Sequence, residues 1–401
     1  MNQTPSANRV HIAFFGRRNT GKSSLVNAVT GQNLALVSDV KGTTTDPVYK
    51  AMELLPLGPV VIVDTPGFDD EGELGEKRVQ RAKQVLNKTD AAVLVLDDTF
   101  IQHGEILFPD EKEIVNTFIE KQIPYIIVQN KCDLFGTIPA DHYYEGTEIF
   151  PASAKTGLNI NLLKEKIAAI AMPHESDKRL VADLIKPLDL VVLVIPIDKA
   201  APKGRLILPQ QQVIRDILEA GGAAVSVRES ELEKTLAELG RKPALVITDS
   251  QVFALVSSVV PEDIPLTSFS ILFARYKGFL AASIKGAAEL DYLRDGDKIL
   301  ICEGCTHHRQ CDDIGTVKLP RWIKGHAAKE PEFSFCSGGE YPHDLSPYKL
   351  IIHCGACMLN EREMQYRRKQ AEDQNIPFTN YGITIAHIQG ILARSVAMLD
   401  V

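Results

Sequence analysis

The 401-residue sequence lacks the features that would place it in a membrane, in the secretory pathway or on a nucleic acid. Its longest apolar run, Leu190–Ile195, is far shorter than the roughly 20 residues of a transmembrane helix. The first residues, MNQTPSANR, have no apolar core of a signal peptide. The net charge is −8, so no basic excess favours a nucleic-acid partner. We therefore expect a cytoplasmic protein with neither a membrane nor a nucleic-acid partner.

Cysteine is also scarce, because seven residues are too few for a disulfide scaffold in a chain of this length. The thiols are therefore expected to be reduced. Their distribution is uneven: Cys132 stands alone, and the other six lie between Cys302 and Cys357. Several histidines share that stretch, namely His307, His308, His326, His343 and His353.

The hydrophobic pattern predicts an α/β protein with three domains. Up to about Ala171, buried-type strands rich in Val and Ile alternate with helical segments, as in a doubly wound parallel sheet. A second βα series follows a polar stretch, and Ser230 with Glu233 has the spacing of a capping box that would start one of its helices. We predict an N-terminal domain over 8–172, a middle parallel βα packing or dimerisation domain over 180–264, and a C-terminal α/β domain over 265–401.

Residues 16–23, GRRNTGKS, match the phosphate-binding pattern G-x-x-x-x-G-K-[ST] between a predicted strand and a helix. Backbone N–H groups of such a loop close around phosphates, and the helix N-terminus adds a favourable dipole. Lys22 is expected to reach the β- and γ-phosphates, and the Ser23 hydroxyl to bind Mg²⁺. The predicted nucleotide-binding residues here are Gly16, Asn19, Thr20, Gly21, Lys22, Ser23 and Ser24.

Three further segments follow predicted strands and complete a guanine-nucleotide pattern. Asp64 suits an indirect contact with Mg²⁺, outside the direct ligands of the ion, and the Gly67 N–H suits the γ-phosphate. Asp133 can accept from both guanine N1–H and N2–H₂, a donor pair that adenine lacks, and a backbone N–H of 153–155 would contact guanine O6. Four segments in this order, each at the carboxyl end of a strand, predict GTP binding. The predicted residues are Asp64, Gly67, Asn130, Lys131, Asp133, Ser153, Ala154 and Lys155, with Cys132 as a small buried hydrophobe among them.

The N-terminal region resembles the small GTPases of the translation-factor superclass. Residues 42–46, GTTTD, are similar to the switch I motif of the branch that includes tRNA-modification and ribosome-assembly GTPases. The resemblance implies that Thr44, with Thr43 as the alternative, contacts Mg²⁺ and the γ-phosphate. It also implies that Asn19 helps to hold K⁺, so potassium-stimulated hydrolysis is expected. Lys22, Thr44 and Gly67 are then the expected catalytic residues.

Phe68 stands directly after the DTPG segment, where Ras-like GTPases have a glutamine that orients water. A phenyl ring cannot orient water, so we expect slow unaided hydrolysis and a role as a switch.

Two C-x-x-C pairs, Cys302 with Cys305 and Cys354 with Cys357, each follow a predicted strand. Two thiolates two residues apart reach one metal from a tight turn, so the pairs predict a metal site. Thiolate ligands suit Zn²⁺ or an iron–sulfur cluster, and this chemistry alone leaves both open.

Cys305-Thr-His307 and, 45 residues later, His353-Cys354-Gly-Ala-Cys357 are similar to the C-x-H…H-C-x-x-C signature of the HydF family, the GTPases that mature [FeFe]-hydrogenase. The order of the three domains is similar as well. The resemblance implies that Cys305, Cys354 and Cys357 bind a [4Fe–4S] cluster and that the fourth iron takes an exchangeable ligand. The candidates for that ligand are His307, His353 and Glu303, whereas Cys302, Cys311 and Cys336 lie outside the signature.

Two functions follow from these patterns. The resemblance implies a homodimeric maturation scaffold that carries a transient di-iron precursor, exchanges it with two radical-SAM maturases and delivers it to apo-[FeFe]-hydrogenase. The alternative is an RNA- or ribosome-associated GTPase with a zinc-stabilised C-terminal module. Its best candidate for a basic face is 362–369 (REMQYRRK), for which a solvated helix face is the simpler interpretation.

Overall fold

The structure is a computed structural model that describes residues 6–31, 46–68, 81–82, 84–97, 107–135, 143–172, 178–197, 206–304 and 313–399. The chain divides into two compact units, Met1–Ser176 and Asp177–Val401. The predicted N-terminal domain lies inside the first unit. Both other predicted domains lie in the second unit, so the division between them at 264 and 265 stays a prediction.

The first unit is built on a seven-stranded sheet in the order β2-β3-β1-β4-β5-β7-β6. Its strands are β1 (Val10–Phe15), β2 (Val48–Leu54), β3 (Gly58–Asp64), β4 (Ala91–Leu96), β5 (Tyr125–Gln129), β6 (Tyr143–Tyr144) and β7 (Thr147–Pro151). The described helices are α1 (Lys22–Thr30), α2 (Pro109–Glu120), α3 (Cys132–Phe135) and α4 (Ile160–Ala171). The central strands are apolar throughout because both of their faces are covered.

Parallel pairing places the predicted nucleotide segments at one edge of this sheet. β1 pairs in parallel with β3 and β4, and β5 pairs in parallel with β4 and β7. The carboxyl ends of these strands therefore meet, which is where open α/β sheets bind ligands. The outer strands β2 and β6 are antiparallel additions that the apolar pattern did not predict.

The second unit begins with a four-stranded parallel sheet in the order β11-β10-β8-β9. Its elements are β8 (Leu190–Val194), α5 (Leu208–Glu219), β9 (Ala223–Val227), α6 (Leu232–Glu238), β10 (Leu245–Thr248), α7 (Phe253–Val259) and β11 (Leu266–Ser268). The predicted capping box is wrong. A 3₁₀ turn over Glu229–Glu231 precedes α6, whose N-cap is Glu231 and has no side-chain hydrogen bond.

A second four-stranded parallel sheet, in the order β13-β12-β14-β15, follows in the same unit. Its elements are α8 (Phe269–Tyr276), α9 (Leu280–Ala287), β12 (Lys298–Glu303), α10 (Leu319–Ala327), β13 (Glu332–Ser337), β14 (Leu350–His353), α11 (Glu361–Asp373), β15 (Phe378–Asn380), α12 (Tyr381–Ile388) and α13 (Leu392–Val396). One apolar core runs through both sheets, with Val192 and Phe253 from the first and Leu300 and Ile351 from the second. The expected α/β class is thus confirmed.

None of the helices in the described ranges is both long enough and apolar enough to cross a membrane.

Candidate nucleotide site and cysteine site

The loop between β1 and α1 folds around its own lysine. Lys22 is buried, and its Nζ donates to the carbonyl oxygens of Gly16 at 2.7 Å and Arg17 at 2.6 Å. Thr20 is also buried and closes the turn, because its Oγ1 donates to Arg17 O at 3.0 Å. The lysine thus holds the loop closed across the region where the pattern predicts phosphates.

Both glycines of the loop are required by their surroundings. A Cβ on Gly16 would lie 2.3 Å from Val95 O, and one on Gly21 would lie 2.3 Å from Asn130 Nδ2. Gly21 is also the N-cap of α1 with a φ of 85°, a left-handed conformation that glycine adopts without strain. Any side chain at either position would push the loop away from its neighbours.

Asp64 and Ser23, which are both predicted to lie near Mg²⁺, contact each other. Ser23 Oγ donates to Asp64 Oδ2 at 2.5 Å. Burial raises the pKa of Asp64, whereas the Ser23 hydrogen bond and the charge of Lys22 lower it. The second carboxylate oxygen, Oδ1, is buried and has no hydrogen-bond partner among the described residues. A buried anionic oxygen beside a serine hydroxyl fits Mg²⁺, which prefers oxygen ligands.

Asn130 joins the phosphate loop to the segment after β7. Its Nδ2 donates to Thr20 O at 2.9 Å, and its Oδ1 accepts from the Ala154 N–H at 3.1 Å. Lys131 adds a second link, since its Nζ donates to Asn19 O at 2.6 Å. Three segments distant in sequence are therefore held at one place.

Asp133 is exposed at the start of α3, and its Oδ1 accepts from Ser153 Oγ at 2.6 Å. Ser153 Oγ in turn accepts from the Thr156 N–H at 3.1 Å. This chain of hydrogen bonds orients the carboxylate that the sequence assigns to guanine recognition. Lys155 follows in the same turn and is exposed.

The structure describes some, but not all, of the other residues predicted for the nucleotide site. Gly67 and Phe68 are buried directly after β3, and Ser24 lies in the first turn of α1. Cys132 is buried, as expected of a small hydrophobe, and burial raises the pKa of its thiol. Thr43 and Thr44 lie outside the described residues.

The second candidate site lies at the carboxyl edge of the β13-β12-β14-β15 sheet. Cys336, Cys302, His353 and Asn380 are register partners across its four strands and so form one row. Cys302 is fully buried, and burial raises the pKa of its thiol. The row places Cys302 beside Cys336 inside the apolar core.

Cys354 comes directly after this row and is positioned by backbone donors. Its N–H donates to Cys302 O at 2.8 Å, and its Sγ accepts from the N–H groups of Gly304 at 3.1 Å and Ala356 at 3.4 Å. Burial raises the pKa of Cys354 to about 11, and these two N–H groups oppose the shift. Amide donors aimed at a buried sulfur favour its anionic form, the form that binds metals.

Lys277 binds the backbone of the turn that carries Cys354 and Cys357. It is buried, and its Nζ donates to Leu359 O at 2.8 Å and to Ala356 O. Burial lowers the pKa of Lys277 to about 8, while the nearby Cys357 and Cys354 raise it. The charge of Lys277 also lowers the pKa of Cys357, against the larger effect of burial. This lysine was not among the residues that the sequence singled out, because a single lysine after a helix carries no motif.

His353 is fully buried, and both of its ring nitrogens are engaged. Arg367 Nη1 lies 3.0 Å from Nε2, and Nδ1 lies 3.1 Å from Cys354 O. Burial lowers the pKa of His353 to about 3, with the charge of Arg367 acting in the same direction. The neutral ring therefore accepts at Nε2 and donates at Nδ1.

Among the other predicted cluster residues, Glu303 is buried and lies 3.5 Å from the Tyr381 hydroxyl, which donates to it. Cys305, His307 and Cys311 lie outside the described residues. In the part of the chain that the structure describes, neither Cys354 nor Cys357 belongs to a group of three His, Cys, Asp or Glu residues whose ligand atoms lie within 4.8 Å of one another. The third thiol of the predicted cluster therefore stays a prediction.

The segment 362–369 is only partly exposed. Arg367 is completely buried and pairs with Glu363 at 2.8 Å, and Arg368 pairs with Glu372 at 2.7 Å. The interpretation as a solvated helix face is therefore wrong at Arg367, and this residue cannot contribute to the basic face that the RNA-binding alternative needs.

The closed phosphate loop, the Ser23–Asp64 pair and the Asp133–Ser153 pair define the first unit as a P-loop nucleotide-binding domain with the arrangement of a GTPase. Residues 11–131 match the family model described as "50S ribosome-binding GTPase". Residues 180–278 match the "Hydrogen maturase F dimerization domain", and residues 281–398 match the "Hydrogen maturase F tetramerization domain".

The chain belongs to the hydrogen maturase F (HydF) family, because it carries the two oligomerisation domains of that family after a GTPase domain. The C-terminal domain for which we predict cluster binding, 265–401, contains the match to the tetramerization domain, and its cluster binding stays a prediction.

Curated GTPases are similar to about two fifths of this chain. The tRNA modification GTPase MnmE of Methylococcus capsulatus is 35% identical over 153 residues, which are 38% of this chain and 32% of the relative. GTPase Der of Wolinella succinogenes is 36% identical over 181 residues, 42% of this chain and 37% of the relative. The chain thus spans about a third of the length of these relatives.

Solved GTPase structures are similar at lower identity. An Era variant of Aquifex aeolicus bound to GDP and AlF₄⁻ has 23% identity and a TM-score of 0.35, and the match covers 54% of this chain and 91% of that one. An S. thermophilus NFeoB variant bound to the same ligands has 24% identity and a TM-score of 0.33, with coverage of 44% and 69%.

Proposed function

We propose that this protein is a GTP-hydrolysing scaffold that binds a [4Fe–4S] cluster, carries a di-iron precursor and delivers it to apo-[FeFe]-hydrogenase. Two radical-SAM maturases supply and exchange the precursor, and the working assembly contains at least a homodimer. The observation that supports this function best is the preorganised Cys354 sulfur, held by two backbone N–H groups in a chain of the hydrogen maturase F family.

The donor set suits an iron–sulfur cluster. Cys305, Cys354 and Cys357 supply three thiolates, and Lys277 beside the Cys354–Cys357 turn offsets part of their negative charge. The resident cluster would supply an iron to which cargo can attach. Because both nitrogens of His353 are already in hydrogen bonds, we assign the exchangeable fourth position to His307 or Glu303. A ligand of this kind is displaced more easily than a thiolate, as a carrier requires.

The nucleotide side acts through positioning and charge. Lys22 would contact the β- and γ-phosphates. Ser23 and Thr44 would hold Mg²⁺, with Asp64 as an indirect contact through the Ser23 side, and the ion would neutralise charge on the phosphates. Gly67 donates its N–H to the γ-phosphate, and Asn19 binds the K⁺ ion that stimulates hydrolysis. Phe68 cannot orient the attacking water, so turnover is slow and the nucleotide state lasts long enough to control cargo exchange.

Anaerobic purification tests the proposal directly. We expect brown protein with iron and sulfide in similar amounts and a paramagnetic signal after reduction. Added imidazole or cyanide should change that signal, because an exchangeable iron accepts a new ligand. Colourless protein with zinc bound by the cysteines would instead support the alternative, a GTPase with a zinc-stabilised C-terminal module.

A further inference from the structure

Outside both candidate sites, three metal-ligating side chains from separate elements meet in the second unit. Asp291 lies in the 3₁₀ turn Ala288–Tyr292, His326 in the last turn of α10 and His387 in the last turn of α12. One ligand atom from each lies within 4.8 Å of the others, and no other set of three His, Cys, Asp or Glu residues in the described ranges does so.

The two imidazoles converge on one carboxylate. His326 Nε2 lies 2.7 Å from Asp291 Oδ1, and His387 Nε2 lies 3.1 Å from both Oδ1 and Oδ2 of the same residue. The rings are 5.6 Å apart between centroids. Two neutral rings with their protons on Nε2 would make a purely hydrogen-bonded group with the carboxylate. With their protons on Nδ1 instead, both Nε2 atoms offer lone pairs toward one point, where the carboxylate supplies an anionic oxygen, and the three atoms are then the ligand set of a single divalent cation.

The backbone around the group also favours a cation. α10 ends one residue after His326, and α12 ends one residue after His387. Helix carboxyl ends carry partial negative charge that stabilises nearby positive charge. The side chains keep access to solvent, with exposed fractions of 24% for His326, 20% for His387 and 47% for Asp291. A metal ion can therefore reach the group from solution.

We propose that Asp291, His326 and His387 form a binding site for a borderline divalent cation, with Zn²⁺ as the preferred ion. Two imidazole nitrogens and one carboxylate oxygen are a usual protein ligand set for zinc. At zinc bond lengths of about 2.0–2.2 Å, tetrahedral ligand atoms stand about 3.3 Å apart, so a small opening of the present contacts admits the ion. The bound ion joins α10, α12 and the 3₁₀ turn, and it leaves one coordination position for water or an external ligand. Nothing in this site depends on the cysteines or on the proposed cluster.

Zinc binding to the full-length chain tests the site by difference, since any metal held by the cysteines is common to all variants. Wild type and His343→Ala should retain one more equivalent of Zn²⁺ after gel filtration than His326→Ala, His387→Ala or Asp291→Asn. His343 is the matched control because it is an exposed histidine of the same unit outside the group. Asp291→Asn keeps the shape of the side chain, so it still tests the site if one of the histidine variants does not fold.

Thermal unfolding gives a second measure. Zn²⁺ should raise the melting temperature of wild type and His343→Ala by several degrees more than that of the three group variants. Zinc X-ray absorption of wild type should contain an imidazole contribution that the group variants lose. Equal zinc stoichiometry and equal thermal shifts in all five proteins would overturn the proposal. Group variants that lose metal-free stability but bind the same zinc would show an ion pair, which overturns it as well.

Discussion

Arg367 Nη1 lies 3.0 Å from Nε2 of His353, although both side chains are completely buried. The guanidinium also bonds Glu363 at 2.8 Å and Gly338 O at 2.6 Å, and it stacks 5.0 Å from the Tyr341 ring centroid. Arg367 thus fixes the ring of His353, whose neighbour is Cys354. The cysteine turn is therefore supported by a buried charge on α11.

Removing Arg367 should strongly destabilise the second unit. Arg367→Ala leaves the Glu363 carboxylate buried without its partner, which typically costs about 3–5 kcal/mol. Urea unfolding of the full-length chain measures the change. Arg368→Ala on the same helix is the control, since its partner Glu372 is exposed and such pairs contribute less than about 1 kcal/mol. Similar decreases in the free energy of unfolding of both variants would show that the buried hydrogen bonds of Arg367 stabilise the unit no more than an exposed ion pair does.

The sequence allowed the nucleotide site to be predicted because each of its segments is short and follows an apolar strand. Gly16, Lys22 and Asn130 are recognisable from local patterns, and parallel pairing then brings them together. The same reasoning located Cys354 and Cys357 at the end of β14.

Other features depend on tertiary contacts that no local pattern encodes. Arg367 stands in a strongly polar helix, so its sequence reads as surface, and its burial follows from Glu363, His353 and Gly338. The group of Asp291, His326 and His387 combines three distant elements. The strand β2 was missed because it lies at the edge of the sheet and its side chains are mostly exposed, so it lacks the apolar run by which the buried strands were recognised.

Cys302 should be much less important for the cluster than Cys354. Cys302 is packed beside Cys336 in the apolar core, whereas Cys354 Sγ is held by two N–H donors at the proposed cluster. Cys354→Ser should lose iron, sulfide and hydrogenase activation while GTP hydrolysis stays near normal. Cys302→Ala should keep most of the iron, and Lys22→Ala should keep the cluster but lose turnover. Equal iron loss from Cys302→Ala and Cys354→Ser would indicate a closed site with four thiolates and contradict the carrier mechanism.

Asp133→Asn should change the base preference of the GTPase. The carboxylate accepts from two guanine donors, and an amide cannot accept both, so affinity for GTP should fall at least tenfold. The new NH₂ can instead donate to the C2 carbonyl of xanthine, so XTP should bind better than GTP. Competition binding with GTP, XTP and ATP measures both effects. Asp110→Asn, on the exposed first turn of α2, is the control and should keep the wild-type preference.

Asn19 should determine the response to potassium. We expect faster hydrolysis in K⁺ than in Na⁺ at equal ionic strength, and Asn19→Ala should remove most of that difference. Lys131 bonds only the backbone oxygen of Asn19, so the loop anchor survives the substitution. Initial rates at matched GTP saturation give the comparison. A K⁺-to-Na⁺ ratio that Asn19→Ala leaves unchanged would show that another group binds the ion.

Glu111 should make the first unit less stable as pH rises from acidic values to neutrality. It is buried at the start of α2, where its Oε2 accepts from the Phe108 N–H at 2.9 Å. Burial raises the pKa of Glu111 to about 7 from 4.5, against opposing effects of that N–H and of Arg17, and Asp97 and Asp110 add to the rise. The folded state therefore holds a proton that the unfolded state releases above pH 4.5. The stabilisation is complete below that pH, falls progressively as pH rises from 4.5, and is lost once pH has risen through the folded pKa of about 7.

Calorimetry between pH 5.5 and 8 measures this effect in the transition that GDP shifts upward, which identifies the GTPase unit. Glu111→Gln keeps an acceptor for Phe108 but carries no charge, so it should stabilise the unit by about 3 kcal/mol at pH 8 and by about 1 kcal/mol at pH 5.5. Glu113→Gln, on the exposed side of the same helix, should follow the wild-type pH profile. If Glu111→Gln also follows the wild-type profile, Glu111 is ionised in the folded protein and another group sets the pH dependence.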